Sequence, residues 1–343
     1  MKPLRRLVAL VGIVWVTVSC THHPPQQQEF PPGLPLRDVG EIPLPGDNSR
    51  FGSASIDASR GLLFTAHLGE NEVIQVDVNA GRVVRTIRQL PAVHGVLAVE
   101  ELGRVYATAT RVNEVVAIDE STGQEIGRTP TGDYPDALAF DSRRNAVWVG
   151  NVKGQSLTVV DANTLKERGT VVVGGEVGNI VYDQPSDRIV VAVQGTNELA
   201  VVDPAAMTVA RRVPLPDCEF PHGLAVDEPD RLIFVGCANN AMLLTVDQTS
   251  WRIVGTDPVG QGADTLAYDG TMHRLYVAAE SGILAVGVLE NKSVAVIRSG
   301  KLADGAHVVV VDPRSHRTYY PVQTYFPSPG GPNGPVLKVR EPT

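Results

Sequence analysis

The sequence predicts an all-β fold, a seven-bladed β-propeller made of four-stranded antiparallel blades. Three observations support this prediction: a sevenfold repeat of about 42 residues, four short apolar runs in each repeat, and many turn residues, with 33 glycines and 25 prolines. No run is long enough for the crossover helix of a βαβ unit. A single blade would leave an apolar face exposed, so the repeats are expected to pack around a common axis.

Each repeat begins with an apolar run that ends in an acidic residue, and successive acids are 41 to 44 residues apart. These acids are Asp57, Glu100, Asp141, Asp183, Asp227, Asp269 and Asp312. A second run follows, such as RVYATA at 104–109, and then a third run closed by an aspartate, as at Asp77 and Asp161. Those aspartates precede turn residues, where a carboxylate can accept hydrogen bonds from the backbone. A fourth run alternates apolar and polar residues, as in RVVRTI at 82–87.

The two ends of the repeat array predict how the ring closes. The seventh repeat stops after its third run, VLKVRE, and has no fourth run. The segment VGEIPLPG at 39–46 precedes the first repeat and resembles a fourth run without a blade. We therefore expect residues 39–46 to complete blade seven, which would remove the open sheet edges.

Residues 1–19 have the layout of a lipoprotein signal peptide. Three basic residues lie within the first six positions, and the apolar stretch at 7–18 is too short to span a bilayer comfortably. It leads to Cys20 in the sequence TVSC, which resembles a bacterial lipobox, so lipidation of Cys20 is expected. Ordinary signal-peptide cleavage is the alternative. The Pro- and Gln-rich segment 20–36 predicts an unfolded tether, which leaves 37–343 for the propeller.

Charge and cysteine usage indicate the compartment and the partners. With 38 acidic and 30 basic residues, the net charge is −8, which argues against a generic nucleic-acid binder. The lipobox predicts an exported protein anchored by lipid to the bacterial envelope, with a monomeric propeller in the periplasm or outside the cell. Cys218 and Cys237 then form an even pair at one end of blade five, on adjacent strands. In an oxidising compartment they predict a disulfide; two reduced core thiols are the alternative.

Several motifs resemble those of one family. YVA at 276–278, WVGN at 148–151, PHGLA at 221–225 and the repeated VVD endings are similar to YVTN-type seven-bladed propellers of bacterial exported proteins. The resemblance covers 37–343 and implies the propeller fold. For function it implies a range: lactonase-like catalysis, a relation to the non-haem part of d1-type cytochrome propellers, or binding of ligands or nucleic acid. Blade six departs from the pattern with Gly287 in place of the turn aspartate, which predicts a looser outer hairpin.

A ring of polar residues is predicted at the mouth of the axial channel, where the innermost strand of each blade begins. The ring residues lie four to six places before the acids, at Gly52, His94, Asp136, Asn179, His222, Asp264 and His307. All of them except the glycine can hydrogen-bond or ligate. They are interpreted as ligand-binding residues, with purely structural roles and a metal site as the alternatives. We expect no resident metal or cofactor.

A second ring is predicted in the loops that follow the second strand of each blade. It comprises His67, Asn151, Gln194 and the long blade-seven insertion from Gln323 to Pro335, in which Tyr325 and Phe326 would form a lid. Long loops on a rigid scaffold commonly carry binding surfaces. A simple linker between two strands is the alternative for the insertion.

Three functions follow from these residues. The first is an envelope-anchored scaffold that binds a small polar ligand or an envelope protein through the channel face. The second is a metal-dependent, lactonase-like hydrolase or lyase using the same ring, for which Asp136, Asn179 and Asp264 are the right residue types. The third, which only the family resemblance implies, is an accessory to electron transfer similar to d1-type cytochrome propellers. The sequence contains no G-x-S-x-G, H-E-x-x-H or C-x-x-C-H motif, so no catalytic residue is assigned.

Overall fold

The computed structural model describes residues 33–323 and 334–343. These residues form seven four-stranded antiparallel sheets arranged as a ring, which confirms the seven-bladed propeller. Cys20, the predicted signal peptide and most of the predicted tether lie outside the described residues, as do Tyr325 and Phe326. Within the described part of the chain, no helix is long and apolar enough to cross a membrane.

The strands are numbered in chain order, and each blade is given from its innermost to its outermost strand. Blade one consists of β2 (Phe51–Asp57), β3 (Leu62–His67), β4 (Glu72–Asp77) and β5 (Arg82–Ile87). Blade two consists of β6 (Val93–Val99), β7 (Arg104–Ala109), β8 (Glu114–Asp119) and β9 (Glu125–Pro130). Blade three consists of β10 (Pro135–Asp141), β11 (Ala146–Asn151), β12 (Ser156–Asp161) and β13 (Glu167–Val172). Blade four consists of β14 (Val177–Asp183), β15 (Arg188–Val193), β16 (Glu198–Asp203) and β17 (Thr208–Pro214). Blade five consists of β18 (Pro221–Asp227), β19 (Leu232–Cys237), β20 (Met242–Asp247) and β21 (Arg252–Pro258). Blade six consists of β22 (Ala263–Asp269), β23 (Arg274–Ala279), β24 (Ile283–Glu290) and β25 (Ser293–Lys301). Blade seven consists of β26 (Val310–Val311), β27 (Thr318–Val322), β28 (Val336–Pro342) and β1 (Leu36–Pro43). Short 3-10 turns at Glu100–Leu102 and Thr110–Val112 follow β6 and β7.

Aspartates at the strand ends shape the turns, as the repeat pattern predicts. The Asp77 carboxylate accepts hydrogen bonds from the backbone N–H groups of Asn79 and Ala80 at 3.0 and 2.8 Å. In the acid column, the Asp57 carboxylate accepts one from the backbone N–H of Arg60 at 2.9 Å. Each carboxylate thereby accepts hydrogen bonds from backbone N–H groups in the turn that have no partner in the neighbouring strand. The position of the aspartate in each repeat therefore determines where the chain turns.

Blade six does not have the looser outer hairpin that Gly287 predicts. Its strands β24 and β25 are eight and nine residues long, and their pairing continues to Glu290 and Ser293. The two residues between them, Asn291 and Lys292, both have left-handed φ angles, 50° and 63°. A two-residue turn with positive φ at both positions matches the twist of a hairpin, so the strands extend through the point where other blades turn at an aspartate.

The apolar core is divided among the contacts between blades. Each of seven apolar clusters in the described residues joins two neighbouring blades. Trp148, for example, is fully buried in the cluster between blades three and four, and Tyr106 in the one between blades two and three. Each blade therefore depends on both of its neighbours for burial of its faces.

The ring closes through the two ends of the propeller, as the sequence predicts. Strand β1 pairs with β28 in antiparallel register, from Leu36 opposite Pro342 to Pro43 opposite Val336. It forms the outermost strand of blade seven. The strand begins and ends three residues earlier than the predicted segment 39–46.

The predicted disulfide between Cys218 and Cys237 is confirmed, and the alternative of two free thiols is wrong. Both cysteines are buried, and their Cα atoms are 5.2 Å apart. Cys237 ends β19, directly opposite Pro221 at the start of β18. The bond therefore fastens the loop that leads to His222 onto the neighbouring strand.

We expect replacement of both cysteines by alanine to lower the free energy of unfolding by about 3 kcal/mol. The bond joins residues 19 positions apart, and its loss releases the loop-closure entropy of the unfolded chain. Urea denaturation of the wild type and the double variant measures the difference. Wild-type protein that is reduced while unfolded is the control and should match the variant. Equal midpoints for all three samples would contradict a stabilising role.

Candidate functional site

The innermost strands of blades one to six begin around a cavity of about 120 Å³ at one end of the channel. Its lining consists of Arg50, Gly52, Ser53, His94, Asp136, Asn179, His222, Asp264 and Thr265. Five of the six predicted ligand-binding residues are thus brought together; His307 is not part of this lining. The cavity lies where the repeat spacing predicts a polar rim.

An ion pair between His222 and Asp264 lies on one side of the cavity. The Nε2 atom of His222 is 3.0 Å from Oδ1 of Asp264, and its Nδ1 atom contacts the side-chain amide of Gln194. Burial opposes a charged imidazole, but attraction to Asp264, and more weakly to Asp136 and Glu280, outweighs it and raises the pKa of His222. The ring therefore tends to hold its proton.

The Asp264 carboxylate is stabilised in its charged form. Burial alone would raise the pKa of Asp264, but His222, His307 and Arg50 together outweigh burial and lower it. The charge of Asp264 is therefore already shared among groups of the protein itself.

Arg50 also lines the cavity, and the sequence reasoning missed it. Its Nη1 atom donates to Oε2 of Glu280 at 2.8 Å, while Nη2 lies 2.5 Å from Oε1 of Glu280 and 3.5 Å from Oδ2 of Asp264. The guanidinium thus forms a two-pronged contact with one carboxylate and reaches a second. Because Arg50 directly precedes β2, this contact ties blade one to blade six.

A signal for Arg50 is present in the repeat. It lies two places before the ring position Gly52, and the equivalent residues of the other repeats carry no charge. These are Ala92, Tyr134, Val177, Phe220, Gly262 and Gly305. Because Arg50 is the one charged residue at this position of the seven repeats, the sequence could have identified it as a candidate site residue. The partner Glu280 follows β23 and has no such mark, because only the fold brings it to the cavity.

His307 is buried beside the cavity and held by the backbone. Its side chain is 2% exposed, and its Nδ1 and Nε2 atoms lie 2.7 and 2.9 Å from the carbonyl oxygens of Gly305 and Phe51. Both ring nitrogens thus lie against backbone carbonyl oxygens, which can only accept hydrogen bonds, so the main chain fixes the orientation of the ring. The contact with Phe51 joins blade seven to blade one, which matches the structural interpretation for this one ring residue.

Asp264, Glu280 and His307 are the only described group of three that could hold a metal ion, with one ligand atom from each lying within 4.8 Å of the others. Two carboxylates and an imidazole suit a divalent cation. However, Arg50 already contacts both carboxylates, and both nitrogens of His307 face carbonyl oxygens. Metal binding here would require Arg50 to leave.

Asp136 and Asn179 differ from the other ring residues because neither side chain makes a hydrogen bond or ion pair within the described part of the chain. Both side chains are partly buried and line the cavity. A carboxylate and an amide that are partly removed from water lose hydration without regaining it from the protein. They are the groups of the ring that remain available to a ligand.

An open cleft of about 740 Å³ adjoins the cavity beside blades two and three. His94 and Tyr134 form part of its wall: Nδ1 of His94 lies 2.7 Å from the carbonyl oxygen of Ala92, and the Tyr134 hydroxyl lies 3.2 Å from Nε2. Since the carbonyl can only accept, the imidazole donates there and accepts from the tyrosine. Burial raises the pKa of Tyr134, which keeps this hydroxyl protonated. The Nζ atom of Lys153 lies 4.4 Å from the centre of the tyrosine ring.

The predicted second ring does not form a common site in the described residues. His67 is fully buried, stacks on Phe51 at 4.6 Å, and has a pKa lowered by burial. Asn151 is buried too and donates to side-chain hydroxyls of its own blade. Gln194 alone approaches the cavity, through its contact with His222. The blade-seven insertion lies mostly outside the described residues.

Comparison with known proteins bears on the fold alone. No family model matches the chain, and no curated protein matches it. Among solved structures, a chain of the Kuenenia stuttgartiensis hydrazine synthase is similar with 12% identity and a TM-score of 0.71, over 79% of this chain and 92% of that one. A chain of a mitotic checkpoint complex has 10% identity and a TM-score of 0.72, over 96% and 98%. The U3-55K structure has 10% identity and a TM-score of 0.73, over 88% and 98%.

The three structures are of different proteins, and at 10–12% identity the similarity to this chain shows only a shared propeller fold. The narrower resemblance to YVTN-type propellers stays a prediction.

Proposed function

We propose that this protein is an exported, lipid-anchored propeller that binds a small polar ligand at the mouth of its axial channel. The observation that carries the proposal is the contrast within the ring. His222, Asp264 and Arg50 are paired with one another or with Glu280. The Asp136 carboxylate, in the same cavity, makes no hydrogen bond or ion pair with a described residue and interacts with His222 and Arg50 only at longer range. A partly buried carboxylate without a partner costs free energy, which a bound donor would recover.

The anchor is supported by the sequence, and the oxidising compartment by the disulfide. The TVSC motif at Cys20 predicts lipidation, and the disulfide at Cys218 agrees with an oxidising compartment. Nothing in the ring depends on the anchor, so the two halves of the proposal can be tested separately.

The alternative function is a metal-dependent hydrolase or lyase at the same ring, and one observation favours it: the convergence of Asp264, Glu280 and His307. The contacts of Arg50 with both carboxylates weigh against it, since a cation of the protein already neutralises them. Metal analysis of the purified protein separates the two functions. Stoichiometric metal that disappears in Asp264→Asn would support the enzyme.

The binding proposal is tested on protein extracted from its own membranes. We expect native mass spectrometry of the wild type to reveal a bound small molecule, and a variant carrying Asp136→Asn and Asn179→Ala to lack it. Asp217→Asn makes the same change as Asp136→Asn at an exposed position, so it is the matched control and should keep the ligand. In the same extracts, Cys20→Ser should move the protein out of the membrane fraction. A ligand retained by the double variant would contradict the axial site.

A further inference from the structure

The cavity and the open cleft form one continuous binding space. Arg50, His94 and Asp136 line both of them, so a molecule lying in the cleft can extend one end into the cavity. The cleft, about 740 Å³, is in the size range of sites for organic ligands, whereas the cavity, about 120 Å³, admits only a small terminal group. The ligand proposed above can therefore be described by its two ends.

The cavity offers acceptors without a free cation. Asp136 contributes a carboxylate, and Asn179 an amide oxygen, and neither side chain makes a hydrogen bond or ion pair with a described residue. Two cations line the cavity, and both are already held: Arg50 by Glu280 at 2.8 Å and His222 by Asp264 at 3.0 Å. A primary ammonium has three N–H donors and one positive charge, so it matches two carboxylate oxygens and one amide oxygen.

The cleft outside the cavity offers two cations. Arg111 and Lys153 both line it, and neither forms an ion pair with a described residue. Lys153 lies over the ring of Tyr134, whose hydroxyl is fixed by His94. This arrangement leaves the charges of both cations available to an anion and supplies a flat apolar wall between the cations and the cavity.

One further charge lies in the cleft. Asp133 is exposed at its outer edge, and its carboxylate lies 3.5 Å from the side-chain amide of Asn113. Being exposed to water, it opposes an approaching anion only weakly.

We propose that the ligand is a short peptide, with its free amino terminus bound by Asp136 in the cavity and its carboxylate reaching Arg111 and Lys153 in the cleft. This inference rests on the proposed function and specifies the ligand of the same site. A peptide is the zwitterion whose charges are separated by an extended backbone, and Tyr134 lies along the path between the two ends. A single amino acid would leave most of the cleft unfilled.

The test uses the full chain and three probes that differ in one charge each: triglycine, N-acetyl-triglycine and triglycine amide. Isothermal titration at low and high salt measures the affinity of each. For the wild type we expect the acetylated probe, which lacks the ammonium, to bind at least tenfold more weakly than triglycine. We expect the amide, which lacks the carboxylate, to bind several-fold more weakly, with the difference shrinking at high salt.

The variants assign each end of the peptide to its residues. Asp136→Asn should remove the preference for a free ammonium but keep the preference for a free carboxylate. A double variant, Arg111→Gln with Lys153→Gln, should keep the preference for a free ammonium but remove the preference for a free carboxylate. Asp217→Asn and Lys166→Gln make the same chemical changes at exposed positions elsewhere and should alter neither preference.

The outcomes separate this inference from the proposed function. Equal binding of triglycine and its acetylated form, or no binding of any probe, would overturn the peptide, even if protein from membranes still carries a ligand that depends on Asp136. Equal binding of triglycine and its amide would overturn the role of Arg111 and Lys153. If the membrane-derived protein carries no such ligand either, the axial site itself is overturned.

Discussion

Deletion of β1 (Leu36–Pro43) is expected to lower the free energy of unfolding by more than about 3 kcal/mol and to cause aggregation. Burial of a large aliphatic side chain contributes roughly 1.5–3 kcal/mol, and the buried Ile42 is lost with the strand. The deletion also opens the ring along β28, whose unpaired edge becomes a template for pairing with other chains. Urea denaturation and light scattering measure the two effects.

A relocated strand is the control for this deletion. The backbone N–H of Thr343 lies 3.1 Å from the carbonyl oxygen of Pro35, so the end of β28 and the start of β1 are adjacent. When a copy of LRDVGEIP is joined after Thr343 through Asn-Gly, the three residues Thr-Asn-Gly form the loop after Pro342. This loop length keeps Pro342 opposite the first copied residue, as it is opposite Leu36 in the native register, so the copy would form a hairpin with β28. We expect it to restore most of the stability. A deletion variant as stable as the wild type would show that closure by β1 contributes little.

Asp264→Asn is expected to destabilise the protein by about 2 kcal/mol at pH 5.5. The change leaves His222 and Arg50 without their shared carboxylate. The loss is smaller than for a fully buried ion pair because the two side chains of the His222 pair are 25% and 16% exposed. Asp136→Asn makes the same isosteric change on the same ring, where no hydrogen bond or ion pair is lost and only a weaker attraction to His222 and Arg50 disappears, so it should destabilise the protein far less. Equal losses in the two variants would mean that the pair is not what stabilises this rim.

The effect of Asp264→Asn should depend on pH with a defined sign. The pKa of His222 is raised, so its contribution is complete below its unfolded value near 6.5 and is lost as pH rises through the folded pKa. The pKa of Asp264 is lowered, so its contribution is present above about 3.8 and is lost as pH falls through the folded pKa. The difference between wild type and variant should therefore be largest between about pH 4 and 6.5 and smaller at pH 8.5. Urea denaturation at three pH values measures it, and NMR titration should show a lower pKa for His222 in the variant.

The repeat makes most of the fold predictable. Blade number, strand order, the Asp77-type turns and the closing strand all follow from spacing and from the alternation of apolar residues, which act over a few residues at a time. The disulfide followed from the same reasoning, since register places Cys218 and Cys237 at one end of adjacent strands. In blade six the reasoning failed, because Asn291 and Lys292 could form a different turn from the one at the aspartates.

The local pattern determines which residues reach the rim of the channel, but only the tertiary structure decides what each one does there. His94, Asp136 and Asp264 are equivalent in spacing, yet each has a different environment. His94 is held by Tyr134, Asp264 is paired with His222, and the Asp136 side chain makes no hydrogen bond or ion pair with a described residue. His307 turns to the backbone beside a blade whose innermost strand is only two residues long. Arg50 and Glu280 meet across 230 positions of sequence. Such pairings depend on distances between blades, and those are set when the ring closes and packs, not by any rule that acts within a single repeat.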